Sequence, residues 1–146
     1  MNPATMTGLE LVMAAAEGKI PPASISDTMG MSAMKVEEGR VTIHARADER
    51  HLNPLGGVHG GFAATVLDSV TGCAVHTVLP AGGFYATVDL NVKMLRPIRR
   101  DEDLIAEAHV VHFSRSLGVA DGTLKDAAGN LIATASATCF IKQARA

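Results

Sequence analysis

The chain has 146 residues, of which 47% are hydrophobic and 19% are charged, and its formal net charge is −2. This length suits one domain with a substantial core, so residues 1–146 are predicted to form a single domain. The near-neutral charge and the lack of a basic run or an aromatic platform argue against a nucleic-acid partner. Cys73 and Cys139 show no metal-ligand spacing, so we predict buried free thiols in a reducing compartment and no metal site.

The first residues predict a short amphipathic helix. Residues 1–18 include Glu10 and Glu17, and they lack the basic start and continuous apolar run of a secretion signal. We therefore predict an N-terminal helical segment over residues 1–25 and expect a cytoplasmic location.

Two strands follow in the predicted order. The first covers about residues 29–36, and the second covers residues 41–47, where apolar and polar side chains alternate. The intervening Glu37-Glu38-Gly39-Arg40 is typical of a hairpin turn. These two segments are expected to pair.

The run from His51 to Asp68 is the most informative part of the sequence. Asn53-Pro54 followed by Gly56-Gly57 predicts an irregular loop, because proline disfavours helix at the preceding residue and glycine permits tight turns. The loop leads into a helix predicted over residues 60–79. Apolar side chains occupy every face of this helix, which is therefore expected to be buried, and Asp68 and His76 argue against a membrane span.

Asp68 is the one carboxylate of this predicted helix, which is otherwise uncharged. Burial of a carboxylate is costly unless it is hydrogen bonded, so Asp68 is either a satisfied structural acid or a catalytic one. At the start of the helix, the N–H groups of Gly60 and Gly61 have no helical partners and could stabilise a carbonyl oxygen that gains negative charge. The alternative is a simple turn, with His59 as a surface or cap-neighbouring residue.

Four more strands are predicted after the helix, over residues 87–96, 104–113, 117–125 and 131–141. In the first of them, Thr87 is expected on the polar face with Asp89, Asn91 and Lys93, opposite Val88, Leu90, Val92 and Met94. The last two are joined by the turn-forming residues 126–130. The whole pattern predicts an α+β fold in which a curved antiparallel sheet of about five to six strands wraps around one long central helix.

The order and spacing of several motifs resemble the signature of the hotdog-fold acyl-CoA thioesterases, specifically the PaaI-like (phenylacetate-pathway) branch. The motifs are Asn53, Gly60 within His59-Gly60-Gly61, Asp68, and the run from Thr87 to Asn91. The resemblance extends from about residue 31 to residue 141 and includes Leu95-Arg96-Pro97. It implies the hotdog fold for this chain.

The resemblance also implies roles for individual residues. Asp68 would act as general base or nucleophile, and the Gly60 N–H would polarise the thioester carbonyl. Asn53 would hold that region or the carbonyl, and the Thr87 hydroxyl would help to orient the attacking water. Four further positions are expected to contact the substrate: His59, Gly61, Arg115 and Ser116.

Other substrate contacts are less closely defined. Arg115 would meet the coenzyme A phosphates, for which Lys93 and Arg96 are further candidates. The shape of the acyl pocket is expected to depend on side chains that include Phe62, Leu67, Phe84 and Tyr85.

Helix geometry separates the two main groups of the site. Gly60 and Asp68 are eight residues apart, which corresponds to about 12 Å along a helix and a rotation of roughly 80°. One thioester group cannot readily contact both in the same chain. We therefore predict a homodimer with composite sites, and the resemblance implies a homotetramer built as a dimer of dimers.

The predicted activity is hydrolysis of acyl-CoA thioesters, with no cofactor besides the coenzyme A of the substrate and no membrane partner. A thiol leaves with little acid assistance, so one carboxylate and one oxyanion donor suffice. Two alternatives remain. Asn53-Pro54-Leu55 faintly suggests an enoyl-CoA hydratase or dehydratase, although His59 comes too late for the histidine of that pattern. A non-catalytic acyl-CoA binding module would not need Asp68.

Overall fold

The computed structural model describes residues 1–143 and forms a curled, six-stranded antiparallel sheet packed against one long helix. The helices are α1 Gly8–Ala16, α2 Ser24–Thr28 and α3 Gly60–His76, and the strands are β1 Met31–Glu37, β2 Arg40–Arg46, β3 Phe84–Met94, β4 Asp103–Phe113, β5 Leu117–Asp126 and β6 Leu131–Lys142. The strand order is β1-β2-β4-β5-β6-β3. The predicted α+β fold, with a sheet wrapped around a central helix, is confirmed.

Two of the predicted helical segments differ from the structure. The segment over residues 1–25 divides into α1 and α2, with a short 3₁₀ turn before them, and α2 runs on to Thr28. The central helix, predicted to reach residue 79, ends at His76 because the chain tightens there into three-residue turns. The N–H of Val78 donates to the Val75 carbonyl, and the N–H of Leu79 donates to the His76 carbonyl. Such tightening is common where a helix ends.

Helix α3 lies close to the sheet because two glycines of β5 face it. A Cβ at Gly118 would stand 2.7 Å from Val75 Cγ1, and one at Gly122 would stand 3.1 Å from Thr71 Cγ2. Small residues on the strand therefore permit the approach and let the apolar faces of α3 form the centre of the core. No helix within residues 1–143 is long and apolar enough to span a membrane.

Strand β3 is an edge strand that pairs only with β6 among the described strands. It runs antiparallel to α3. Tyr85, near its start, lies against Gly72, whereas Met94, at its end, lies against Gly60. The edge of β3 thus follows α3 from its last turns back to its N-terminus, past all the predicted catalytic positions on that helix.

Candidate active site

The loop before α3 is compact and is held by Asn53. The Asn53 Oδ1 accepts hydrogen bonds from the N–H of Leu55 at 2.9 Å and of Gly57 at 3.1 Å. Backbone bonds close the loop further, with the Asn53 N–H donating to the Gly57 carbonyl at 2.7 Å. The oxygen of this amide therefore shapes the loop, and its Nδ2 makes no hydrogen bond within residues 1–143.

The N-terminus of α3 keeps one free donor. His59 is the N-cap, and its Nδ1 accepts the Gly61 N–H at 2.8 Å. The neighbouring Gly60 N–H donates to no group among residues 1–143. His59 therefore occupies one of the two predicted glycine donors, and the other is left available to a ligand.

A pocket of about 330 Å³ opens beside this donor. Its walls include Gly60 and Ala63 of α3, together with Met94 and the segment that follows β3. Asp68 does not line it. The structure therefore agrees with the expectation from helix geometry: within one chain, the Gly60 N–H and the Asp68 carboxylate lie in different places.

Asp68 lies two helical turns farther along α3 and is partly buried. Its Oδ1 is fully buried and has no hydrogen-bond partner within residues 1–143. The structure therefore does not provide the hydrogen bonds expected of a satisfied structural acid. A polar atom left in this condition costs stability, so its presence calls for a functional reason.

Three side chains near Asp68 have raised pKa values. Burial raises the pKa of the Cys73 thiol to about 11. Burial is also the main reason why the pKa of Tyr85 is raised well above its ordinary value, and charges on Cys73, Cys139 and Asp68 add to the effect. The pKa of Cys139 is raised by burial first and also by the Asp68 charge, against a lowering by its Thr87 hydrogen bond. These four side chains form a poorly hydrated cluster between α3 and the sheet.

Thr87 faces this cluster, and a bulge in β3 separates it from Asp89. Thr87 pairs with Cys139 and Asp89 pairs with Thr138, so Val88 is an extra residue and is 63% exposed. The expectation that Thr87 shares a face with Asp89 was therefore wrong. The bulge leaves Asp89 outside, while the Thr87 Oγ1 lies 3.8 Å from the Cys139 Sγ on the inner side. Bulges often redirect a side chain in this way beside active sites.

Tyr85 also lies beside Asp68. Its ring rests on Gly72, one turn after Asp68. A Cβ added at Gly72 would be 2.8 Å from the Tyr85 Cε2. The ring also contacts the His76 ring, with 5.5 Å between centroids. Of the side chains expected to shape the acyl pocket, Phe62 and Leu67 are instead in the core and Phe84 is exposed. Tyr85 and Thr87 are two residues apart on one strand, and this spacing in the sequence could have predicted that they share a face.

Arg115 and Ser116 lie far from the Gly60 pocket within one chain. Both are exposed in the turn between β4 and β5, where the Ser116 carbonyl accepts the Ile141 N–H. Ile141 is near the end of β6, and the pocket contains Ala133 near the start of that strand. Eight residues of strand correspond to about 27 Å. These two positions are closer to the Tyr85 end of β3.

Sequence comparisons consistently match this chain to thioesterases and esterases. The sequence profile of the thioesterase superfamily matches residues 55–133. A protein of Halobacterium salinarum that is described as an esterase is 37% identical over 123 residues, which cover 80% of each chain. Human acyl-coenzyme A thioesterase 13 is 31% identical over 96 residues, which cover 65% of this chain and 68% of that protein.

Comparisons of structure agree. A phenylacetic acid degradation-related protein of Ralstonia eutropha JMP134, described as a thioesterase, has a TM-score of 0.80 and 30% identity, covering 88% of this chain and 98% of its own. A thioesterase protein of Streptococcus pneumoniae TIGR4 with coenzyme A has a TM-score of 0.69 and 25% identity, covering 77% and 88%. The predicted resemblance is confirmed: this chain belongs to the thioesterase superfamily and has the hotdog fold.

Proposed function

We propose that this thioester hydrolase acts on acyl-coenzyme A and releases a free acid and coenzyme A. The observation that carries the proposal concerns one helix: within residues 1–143, the buried Oδ1 of Asp68 has no hydrogen-bond partner and the Gly60 N–H at the start of the helix is free. The human relative named acyl-coenzyme A thioesterase 13 and the Streptococcus pneumoniae thioesterase with coenzyme A support this choice of substrate.

In the proposed reaction, Asp68 takes a proton from a water molecule, and the water oxygen bonds to the thioester carbonyl carbon. The Gly60 N–H stabilises the resulting oxyanion, assisted by the Asn53 Nδ2, which makes no other hydrogen bond within residues 1–143. The Thr87 hydroxyl orients the water. The carbon–sulfur bond then breaks, and Asp68 returns the proton to the departing thiolate. Direct attack by Asp68 to form an anhydride uses the same groups, and oxygen-18 labelling in a single turnover distinguishes the two routes.

Each site is proposed to combine two copies of the chain. Strand β3 has eleven residues, and its outer edge pairs with no other strand among the described residues; such an edge readily pairs with another strand. Because β3 runs antiparallel to α3, two β3 edges paired about a two-fold axis would bring the Gly60 end of one chain beside the Asp68 end of its partner. The same pairing would bring Arg115 and Ser116 of the partner toward the Gly60 pocket.

The tetramer is proposed to form through the outer face of the sheet. Phe84, Leu117 and Phe140 lie on this face and are 53%, 43% and 48% exposed. Leu117 and Phe140 are direct cross-strand neighbours. A contiguous apolar patch of this kind is typical of an interaction surface. Phe140→Glu should convert the tetramer into dimers in analytical ultracentrifugation, and an unchanged mass would contradict this assignment.

The decisive assay measures free thiol released from a panel of acyl-coenzyme A substrates. We expect Asp68→Asn to reduce turnover at least about 100-fold, the scale for loss of a positioned base. A hydratase would consume enoyl-coenzyme A without releasing thiol, and a binding module would release none from any substrate. The proposed steps need only protein groups and water, so turnover should survive EDTA.

The Gly60 donor can be removed without disturbing the helix. Proline is well tolerated at the first helical position, and the extended conformation of His59, with φ −62° and ψ 135°, suits a residue before proline. Gly60→Pro should therefore retain the fold but lose turnover by about 100-fold or more. Gly60→Ala is the matched control, because it keeps the N–H and adds a Cβ against the flexible end of Met94. Equal losses in both variants would exclude the amide.

Mixed dimers test the composite site. Asp68→Asn and Gly60→Pro chains are each expected to be inactive alone. In a mixed dimer one site would carry both changes and the other neither, so random mixing should restore about a quarter of wild-type activity. Sites built within single chains would give no recovery.

A further inference from the structure

His51 is the one buried histidine within residues 1–143, and 7% of its surface is exposed. It ends a short 3₁₀ turn, Glu49–His51, two residues before Asn53. Both ring nitrogens and the backbone carbonyl of His51 are hydrogen bonded. The residue has no part in the steps proposed above, and a buried polar side chain at the entrance to the active-site loop calls for an explanation.

The hydrogen bonds of the His51 ring fix its protonation state. The Asp48 N–H donates to the His51 Nδ1 at 2.9 Å. Because a backbone amide only donates, Nδ1 carries no proton, and the ring proton is on Nε2, which donates to the Thr28 carbonyl at 2.7 Å. The neutral ring therefore ties the 3₁₀ turn to the end of α2. The bond at Nδ1 uses the Asp48 backbone, while the Asp48 carboxylate is held by Arg50 at 2.9 Å.

His51 also contacts both sides of Gly60. Its carbonyl accepts the His59 N–H at 2.8 Å, and His59 is the N-cap residue directly before Gly60. Its ring packs against the ring of Phe62, two residues after Gly60, with 4.9 Å between centroids. The Phe62 N–H in turn donates to the His59 carbonyl at 3.0 Å. Gly60 is therefore held between two residues that both contact His51.

We propose that His51 is a positioning residue, which sets the direction of the Gly60 N–H through the hydrogen bonds of its neutral ring. The proposal rests on the proposed function, because it concerns the donor that would stabilise the oxyanion. Such a donor is effective when it is aimed before the negative charge develops, and a hydrogen bond weakens steeply as it departs from linearity. Gly60 has no side chain to fix its own backbone, so the direction of its N–H depends on its neighbours.

The main variant, His51→Phe, keeps an aromatic ring against Phe62 and removes both ring hydrogen bonds. We expect kcat to fall about tenfold, which is part of the cost of losing an oxyanion donor, with KM within about twofold of the wild type. This split follows because the donor acts on the transition state more than on the bound substrate.

Two conservative variants should recover part of this loss. In His51→Asn the asparagine Oδ1 can accept the Asp48 N–H, and in His51→Gln the glutamine Nε2 can donate to the Thr28 carbonyl. Each keeps one of the two bonds and should lower kcat only about threefold. If His51→Phe does not fold, these two variants carry the comparison, and a wild-type kcat in both would overturn the proposal.

Thr77→Val is the matched control for the loss of a buried hydrogen bond. The Thr77 Oγ1 accepts the Gly39 N–H at 2.7 Å at the other end of α3, and the residue is 2% exposed. This variant should lose stability but keep the wild-type kcat in assays well below its Tm. An equal fall of kcat in Thr77→Val and His51→Phe would attribute the loss to stability alone and overturn the proposal.

A double-mutant cycle tests whether His51 acts through the Gly60 N–H. In the Gly60→Pro background this donor is absent, so adding His51→Phe should lower kcat less than about twofold, against about tenfold when Gly60 is present. Equal losses in the two backgrounds would mean that His51 acts independently of the amide, which contradicts the proposal.

Hydrogen exchange separates this proposal from the proposed function. If the wild-type chain cleaves no acyl-coenzyme A, the proposed function fails, and the His59 and Gly61 amides, which donate to His51 and His59, still test the positioning. Their protection should fall about tenfold in His51→Phe and stay close to the wild-type level in Thr77→Val. Unchanged protection in every His51 variant would overturn the positioning role even when hydrolysis is observed.

Discussion

Asp68→Asn is predicted to make the protein more stable while it lowers turnover at least about 100-fold. The reason is the buried Oδ1, which has no hydrogen-bond partner in residues 1–143. Leaving a buried polar atom unsatisfied costs about 1–3 kcal/mol, and more when the group is charged. An active-site group that is held at such a cost is a common source of the opposition between stability and activity.

The size of the gain follows from what asparagine changes. The amide has nearly the same shape and carries no charge, but it remains polar, so only the lower part of the cost is recovered. We expect the free energy of unfolding to rise by about 1 kcal/mol, and the Tm by about 2–4 °C for a chain of this size. Thermal and urea unfolding should be followed at one fixed protein concentration, because association shifts the apparent stability.

Asp48→Asn is the matched control. Asp48 is an acid with partners: its Oδ1 accepts the Arg50 N–H at 2.9 Å, and Arg50 holds the pKa of this carboxyl at about 2. This variant should lose stability and retain turnover. If Asp68→Asn instead melts below the wild type and remains active, Asp68 is a structural acid and the catalytic argument fails.

Three further predictions concern the cluster around Asp68. Gly72→Ala should destabilise the fold by about 1–3 kcal/mol, because the new Cβ would be 2.8 Å from the Tyr85 ring. In a Tyr85→Ala background the same change should stabilise the fold by about 1 kcal/mol, because alanine has the higher helix propensity. A destabilisation in that background would contradict the assigned contact. Cys73 has a pKa raised from 9.0 to about 11 in the fold, so its contribution to stability is present below pH 9 and is lost as the pH rises to 11. This loss amounts to about 2–3 kcal/mol. Urea titrations at a series of pH values should show that the free energy of unfolding falls less between pH 9 and pH 11 in Cys73→Ala than in the wild type. Thr87→Val should lower kcat about tenfold, the cost of roughly one hydrogen bond. Thr87→Ser keeps the hydroxyl and should restore kcat. If Thr87→Val has the same kcat as the wild type, the hydroxyl has no part in the mechanism.

Local sequence patterns were enough to predict the elements whose causes are local. Alternating side chains and turn-forming residues predicted all six strands, and the turn of residues 126–130 is held by the Asp126 side chain, which accepts the Asn130 N–H at 2.8 Å. The lone carboxylate of an apolar helix marked Asp68, and the helix start marked Gly60. Each of these signals lies within a few neighbouring residues, so each could be recognised without a fold.

Features that depend on partners distant in the chain could be recognised only in the folded structure. The bulge at Val88 arises from pairing with β6, and it puts Thr87 and Asp89 on different faces of the strand, against the simple alternation. The close contact of Tyr85 with Gly72 joins a strand to a helix. The isolation of the Asp68 oxygen is likewise a property of everything packed around it. Side-chain spacing predicts which face a residue occupies, but hydrogen-bond partners and close contacts are set by strand order and register, which bring together groups far apart in sequence.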